Sequence, residues 1–379
     1  DLVDINIRKN RGILTEVHLA DLHFNVIDPK VQYDILSEQV LSKINSMNHI
    51  DLISINGDIF DRKIMSNSNG ALYASLFIDN IISIARNKNA TVVLLHGTYS
   101  HDADQLKLFY HYLNDNTVDV RIVTTIKFEY IKGAKFLCIP ELYGVPEEEY
   151  KNVLMYSGYY DGCLLHGTIQ GAVYGDNVGN GRLFHIEDFL KCRGPIMAGH
   201  VHKSGCFNKY FYYSGTPIRY KFGEEEPKGF MIVLRDLDNR THYTHFEEVY
   251  SFKYITIELS DIINNDPRLV IDYINNLRSE QNIDFLKIRF MVSVEGANKT
   301  IINNYYRNNG NIKVEFMDLQ KEREEKERQL ESLKEENKYS FIFDNNLSDE
   351  EKFCQYVNVM EGYDFITVDK LKEILSEQI

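Results

Sequence analysis

The chain has 379 residues, a length that suits two or three domains better than one. Apolar residues make up 44% and aromatics 12%, with 25 Tyr, 21 Phe and no Trp, so the composition can fill a real core. The net charge of −14 argues against a free-standing DNA-binding protein held by a basic surface, although a partner could supply that surface.

No apolar run approaches the ~20 residues of a membrane span. Five scattered cysteines (Cys138, Cys163, Cys192, Cys206, Cys354) form no C-x-x-C pair, which points to a reducing compartment and free thiols. The opening Asp-Leu-Val-Asp-Ile-Asn does not read as a signal peptide, and the missing initial Met suggests a trimmed start.

Residues 12–20 read as a strand ending at Asp21, and 33–47 carry helical spacing through Ile35, Val40, Leu41 and Ile44. A second apolar strand over 50–55 ends at Gly57-Asp58. A helix over 71–86 precedes the apolar strand 91–95, and 104–113 looks helical again. Further strands fall at 120–124, 135–139, 162–166, 195–198, 210–214 and 229–235. Continuous apolar strands alternating with helices predict an α/β sheet covered on both faces. Near residue 250 the rhythm changes to a β-α-β-α-β unit over 251–317. Residues 318–338 should form a solvated helix, and the tail carries two helix signatures. The first has Phe353, Val357 and Met360 on one face, and the second has Leu371, Ile374 and Leu375.

Four blocks and one lone His follow these strands: Asp21-Leu22-His23, Gly57-Asp58-Ile59-Phe60-Asp61, Ser100-His101-Asp102, His166, and Gly199-His200-Val201-His202. In D-x-H alternate side chains point the same way, so Asp21 and His23 can share one ion. Gly57 permits a tight turn that aims Asp58. Asp102 can hold His101 in one tautomer. Hydrolysis of a phosphodiester needs an activated water, neutralised phosphoryl oxygens and a stabilised leaving group. Two metals ~3.5–4 Å apart supply all three. Mixed carboxylate and imidazole donors favour Mn, Fe or Zn over Ca or Mg. Singly, each block also fits a strand-end turn or a satisfied histidine. Together and in this order they point to a two-metal site.

This series resembles the calcineurin-like metallophosphoesterase superfamily. The superfamily's third block is G-N-H-[D/E]; here the stretch is His96-Gly97-Thr98-Tyr99-Ser100-His101-Asp102. Aligned on the His, Ser100 takes the Asn place, and Ser100, Thr98 or a water is left to bind the second metal. Residues 213–230 (Tyr213-Ser-Gly-Thr-Pro217, Phe222-Gly223-Glu224, Lys228-Gly229-Phe230) look like the run of SbcD-type double-strand-break repair nucleases.

The resemblance implies a four-layer α/β metallophosphoesterase sandwich over 1–250, a small α+β DNA-capping domain over 251–317, and a helical linker with ATPase-docking helices over 318–379. It implies two divalent ions, most often Mn2+. Asp21, His23 and His202 would hold the first, Asp58 would bridge, and His166, His200 and Ser100 would hold the second. His101, with Asp102 beside it, would contact the scissile phosphate and assist the departing 3′ oxygen. The implied activity is 3′–5′ exonuclease on DNA ends and endonuclease on single strands or hairpins, gated by an SbcC-type coiled-coil ATPase. Phe353, Val357, Met360, Leu371, Ile374 and Leu375 would dock on that ATPase.

Arg62, Lys63 and Lys203 stand beside the site blocks and could reach DNA phosphates. The family forms a homodimer within a heterotetramer, which makes Leu72, Leu76, Phe77, Leu108 and Phe109 candidate contacts. The expected location is the cytoplasm, of a bacterium or of a phage's host. Two other readings stay open: a different metallophosphoesterase (a phosphatase or nucleotide phosphodiesterase), or a non-catalytic scaffold for the ATPase.

Overall fold

The apolar strands of the first 255 residues sort into two six-stranded sheets. The computed structural model describes residues 12–142, 144–156, 158–170, 183–251, 253–258, 266–281, 286–291, 296–307, 312–317 and, singly, 324, 328, 348 and 352.

The first sheet holds β1 (Ile13–Leu19), β2 (Leu52–Asn56), β3 (Thr91–Leu95), β4 (Asp119–Val123), β13 (Lys228–Asp236) and β14 (Thr241–Val249), in the order β14-β13-β1-β2-β3-β4. Strands β1 to β4 run parallel, and β13 and β14 add an antiparallel flank. The second sheet holds β5 (Lys127–Ile131), β6 (Ala134–Ile139), β7 (Gly162–His166), β10 (Ile196–Gly199), β11 (Gly205–Asn208) and β12 (Phe211–Tyr213), in the order β11-β12-β10-β7-β6-β5. Its centre, β6-β7-β10-β12, is parallel. A two-stranded pair, β8 (Thr168–Ile169) and β9 (Leu183–Phe184), stands beside it.

Alternation along each strand assigns the faces. Ile53, Ile55, Val92 and Leu94 face α1 (Pro29–Leu36), α2 (Ser42–Ser46) and α3 (Asn69–Lys88) in one apolar cluster. Leu52, Val93 and Leu95 instead meet Phe136, Cys138, Leu164 and Met197 of the second sheet. On the far side Leu137, Ile139, Cys163 and Leu165 pack with Tyr150 and Leu154 of α4 (Glu147–Tyr156). The order of layers is helix, sheet, sheet, helix, a mixed α/β arrangement compatible with an α/β sandwich. Each fully buried Leu, Ile or Phe contributes roughly 1.5–3 kcal/mol.

Several local expectations are corrected. The helix expected over 33–47 starts earlier, at Pro29, because Asp28 caps it through Lys30 and Val31, and a π-helical turn over Ser37–Leu41 interrupts it. Residues 104–113 form a 3-10 helix, Gln105–Asn114, and its inward residues Leu106, Phe109 and Tyr112 recur every third position. Sequence reading missed α4, whose apolar content is low, and β5 and β14. Exposed and half-buried residues alternate along most of β14, so it carries no apolar run. Among the proposed dimer contacts, Phe77 and Phe109 are fully buried core, while Leu72 is exposed.

A second unit comprises residues 256–280 and 288–379. Helices α5 (Pro267–Gln281) and α6 (Gly296–Tyr306) accompany a three-stranded sheet of β15 (Lys253–Glu258), β16 (Leu286–Met291) and β17 (Ile312–Met317), in that order. Its buried residues include Ile274, Ile288, Phe290 and Ile302. The β-α-β-α-β element order read from the sequence is present. The helix expected over 318–338 and the two tail helices, with Phe353, Val357, Met360, Leu371, Ile374 and Leu375, lie outside the described residues apart from isolated positions.

Candidate metal centre

Parallel strands gather side chains at their carboxyl ends, where open α/β sheets bind ligands. Asp21 and His23 follow β1, Asp58 follows β2, Thr98 follows β3, Glu141 follows β6, His166 ends β7 and His200 follows β10. Asp21, His23, Asp58 and His200 all have positive φ, at 53°, 46°, 54° and 91°. Non-glycine residues rarely adopt this left-handed conformation, and such strain concentrates at functional sites.

Two donor groups result. Asp21, His23 and His202 form one, with His23 Nε2 and His202 Nε2 only 3.0 Å apart. Asp58, His166 and His200 form the other. Asp58 Oδ2 lies 3.4 Å from His166 Nε2 and 3.9 Å from His23 Nε2, so one carboxylate oxygen faces both groups. His101 joins His23 and Asp58 in a third, overlapping group, its ring edge-on to His23.

Close backbone approach makes this possible. A Cβ on Gly57, where φ is +88°, would stand 2.1 Å from His166 Nδ1. A Cβ on Gly97 would stand 2.2 Å from Asp58 Oδ1.

Hydrogen bonds fix the ligand orientations. His166 Nδ1 donates to the Asn56 carbonyl at 2.6 Å and so turns Nε2 into the site. His202 Nδ1 pairs with Glu224 Oε1 at 3.2 Å, and Glu224 accepts from Tyr220 N at 2.9 Å. Lys228 Nζ donates to the His202 carbonyl at 3.0 Å. The 213–230 run therefore braces His202. Its Tyr220 hydroxyl also donates to the Leu22 carbonyl. From α1, buried Gln32 donates to the same carbonyl at 2.6 Å.

Contrary to expectation, Asp102 makes no hydrogen bond to the His101 ring among the described residues. It accepts from the backbone N–H groups of Asp58, Ile59, Phe60 and Gly97, tying two site loops together. The Asp61 carbonyl takes the place assigned to it, accepting from His101 Nδ1.

Burial and neighbouring charge pull the site groups in opposite directions. Burial holds the His23 imidazole down at about 3, in the neutral form that ligates metals. Burial also lowers His166, but Asp58, Asp21 and Glu141 outweigh it and raise His166 to about 10. Burial raises Asp58, yet His166 and His23 hold it well below the carboxylate range. Burial, then the Asp58 charge, push Asp102 up to about 6. Burial raises Glu224 too, and His202 and Lys228 bring it down to about 2.

The donor set, imidazoles with buried carboxylates and one carboxylate oxygen facing two groups, fits divalent metal. Of the residues named from sequence, Asp21, His23, Asp58, His101, His166, His200 and His202 converge. Ser100 is exposed and makes no hydrogen bond among the described residues. Thr98 lies at the ligands instead, its N–H donating to Asp58 Oδ1 at 2.6 Å. Glu141, buried beside His200 and His166, was missed, although its signal matched the others: a carboxylate just after an apolar strand. Arg62, Lys63 and Lys203 are exposed, and Arg62 pairs with Asp61 at 3.0 Å.

No family model matches the chain, and no curated protein matches it. Nineteen solved chains match in structure. One of them, described only as a crystal structure, is 10% identical, with a TM-score of 0.38 over 62% of this chain and 100% of its own. A likeness of that size carries no argument about fold or function.

Proposed function

We propose that this chain is a metal-dependent phosphodiesterase of the calcineurin-like metallophosphoesterase type. In this reading it cleaves DNA as the catalytic subunit of an SbcCD-like repair nuclease. The observation that carries the reading is Asp58 Oδ2, which faces two separate His/Asp groups at the carboxyl edge of parallel strands. The layer order of helix, sheet, sheet, helix supports it, as does the bracing of His202 by the 213–230 run.

Asp21, His23 and His202 would hold one ion, and His166 and His200 the other, with Asp58 shared. Bound there, two divalent ions such as Mn2+ would neutralise phosphoryl oxygens and lower the pKa of an attacking water. The protein's own share is positioning. His101 has its Nδ1 held by the Asp61 carbonyl, so Nε2 is left to meet the scissile phosphate and deliver a proton to the departing 3′ oxygen. Arg62, Lys63 and Lys203 would contact backbone phosphates. The unit beyond residue 255 would cap the DNA, and the tail would dock on an SbcC-type ATPase, within a homodimer-based assembly.

The test is cleavage of labelled duplex ends, single strands and hairpins with Mn2+, beside a panel of nucleotides and phosphoproteins. Asp58→Asn and His101→Ala should each lower the DNA-cleavage rate by about 10²-fold or more while circular dichroism is unchanged. Turnover of nucleotides alone would move the reading to a different phosphoesterase. Rates insensitive to both substitutions would refute the site, and no cleavage of any substrate would leave only a scaffold.

A further inference from the structure

Glu141 is a buried carboxylate that the two-metal scheme above does not use. Its Oε2 lies 3.1 Å from His200 Nδ1, 3.5 Å from His166 Nε2 and 3.0 Å from Thr98 Oγ1. Thr98 Oγ1 in turn lies 3.2 Å from Asp58 Oδ2 and 3.4 Å from both His166 Nε2 and His200 Nδ1. Asp58 Oδ2 and His166 Nε2 are themselves 3.4 Å apart.

Donors about 2.1 Å from one ion stand roughly 3.0 Å apart at right angles and roughly 3.4 Å apart at tetrahedral angles. All seven separations fall in that interval or within a tenth of an ångström of it. These separations link five donor atoms from five different loops or strand ends, and one ion among them would satisfy all seven.

We propose that Glu141 is an anionic ligand of the second metal, with the Thr98 hydroxyl as its neighbour in the same shell, and that together they fill the position Ser100 leaves vacant. This rests on the two-metal reading. It makes the second site Asp58, Thr98, Glu141, His166 and His200, richer in negative charge by one than a site closed by a neutral side chain. The added negative charge strengthens the hold on a divalent ion.

The test is Mn2+ binding to the full chain by titration calorimetry and by electron paramagnetic resonance. The wild type should bind two ions and give the spectrum of a coupled Mn pair. Glu141→Gln should keep the first ion and weaken the second by at least ~10-fold, leaving an isolated-Mn spectrum at low occupancy. Should the amide unfold the chain, Glu141→Asp retains the charge, and its shorter reach should produce the same selective loss. Ser100→Ala should change neither ion. Two ions bound by Glu141→Gln with unaltered affinity and coupling would overturn the assignment. A wild type that binds no pair would instead overturn the two-metal reading on which it depends.

Discussion

A ligand side chain works only when its neighbours hold it, and here those neighbours are few and specific. His202 is braced by Glu224, which is itself anchored by Tyr220 N and stands 3.7 Å from Lys228 Nζ. Replacing Glu224 by Gln weakens that anchor without altering volume. We expect Mn2+ affinity at the Asp21/His23/His202 site to fall about 10–100-fold, measured by calorimetry, with the melting temperature nearly unchanged. Unaltered affinity would mean that Glu224 is merely structural.

Residue identity at the site was legible where spacing alone decides it. D-x-H and G-H-x-H named the right residues, but their delivery depends on the loops: Asp21, His23 and His200 have positive φ, and His200 and His202 enter different donor groups. The stretch 97–102 is different. His101 N and Asp102 N both donate to the Thr98 carbonyl at 2.9 Å, forming a tight turn. Ser100 is exposed on that turn and Thr98 lies against the ligands, a choice that no one-dimensional alignment on His101 can make. Glu141 carried the strand-end signal of the other ligands, but its partners Thr98 and His200, 43 and 59 positions away, meet it only through sheet order.

Among the elements, β1 and β13 carry a buried ionic network that joins the two sheets. Arg235 Nη2 donates to Glu16 Oε2 at 2.9 Å, Nη1 donates to the Asp161 carbonyl, and His18 pairs with the same Glu16 oxygen at 3.0 Å. Removing one partner of a buried pair strands the other charge, so Glu16→Gln should cost about 3–5 kcal/mol of unfolding free energy in urea titrations. The pH dependence has a definite sign. Burial raises Glu16, but Arg235 and His18 bring it down to about 2, from an ordinary value of 4.5. Its contribution is complete above pH 4.5 and lost as pH falls toward 2, so the gap between wild type and variant should close over that window. A gap that is constant with pH would contradict the network's role.

Element positions follow from apolar runs. The central strands β1, β2, β3, β6, β7 and β10 were therefore placed almost to the residue. The flanking β5 and β14 were not, because edge strands facing solvent need no continuous apolar stretch.

Across the whole molecule the net charge is −14, and the carboxylates of the candidate metal centre are a small part of the 56 acidic residues. The sequence rhythm changes near residue 250; the first unit takes Asp1–Ile255 together with Gln281–Lys287. Among the described residues no helix is long and apolar enough to cross a membrane. Cys138, Cys163, Cys192 and Cys206 are all free thiols, and the first two are buried.

The claim on which everything else depends is that two cations share Asp58. Crystals of the intact chain soaked in MnCl2 and measured at the manganese edge test it directly. We predict two anomalous peaks flanking the Asp58 carboxylate ~3.5–4 Å apart, one beside His23 and His202 and the other beside His166 and His200. No peak at Asp58, with the same donors closed on one another by hydrogen bonds in the soaked crystal, would contradict the account.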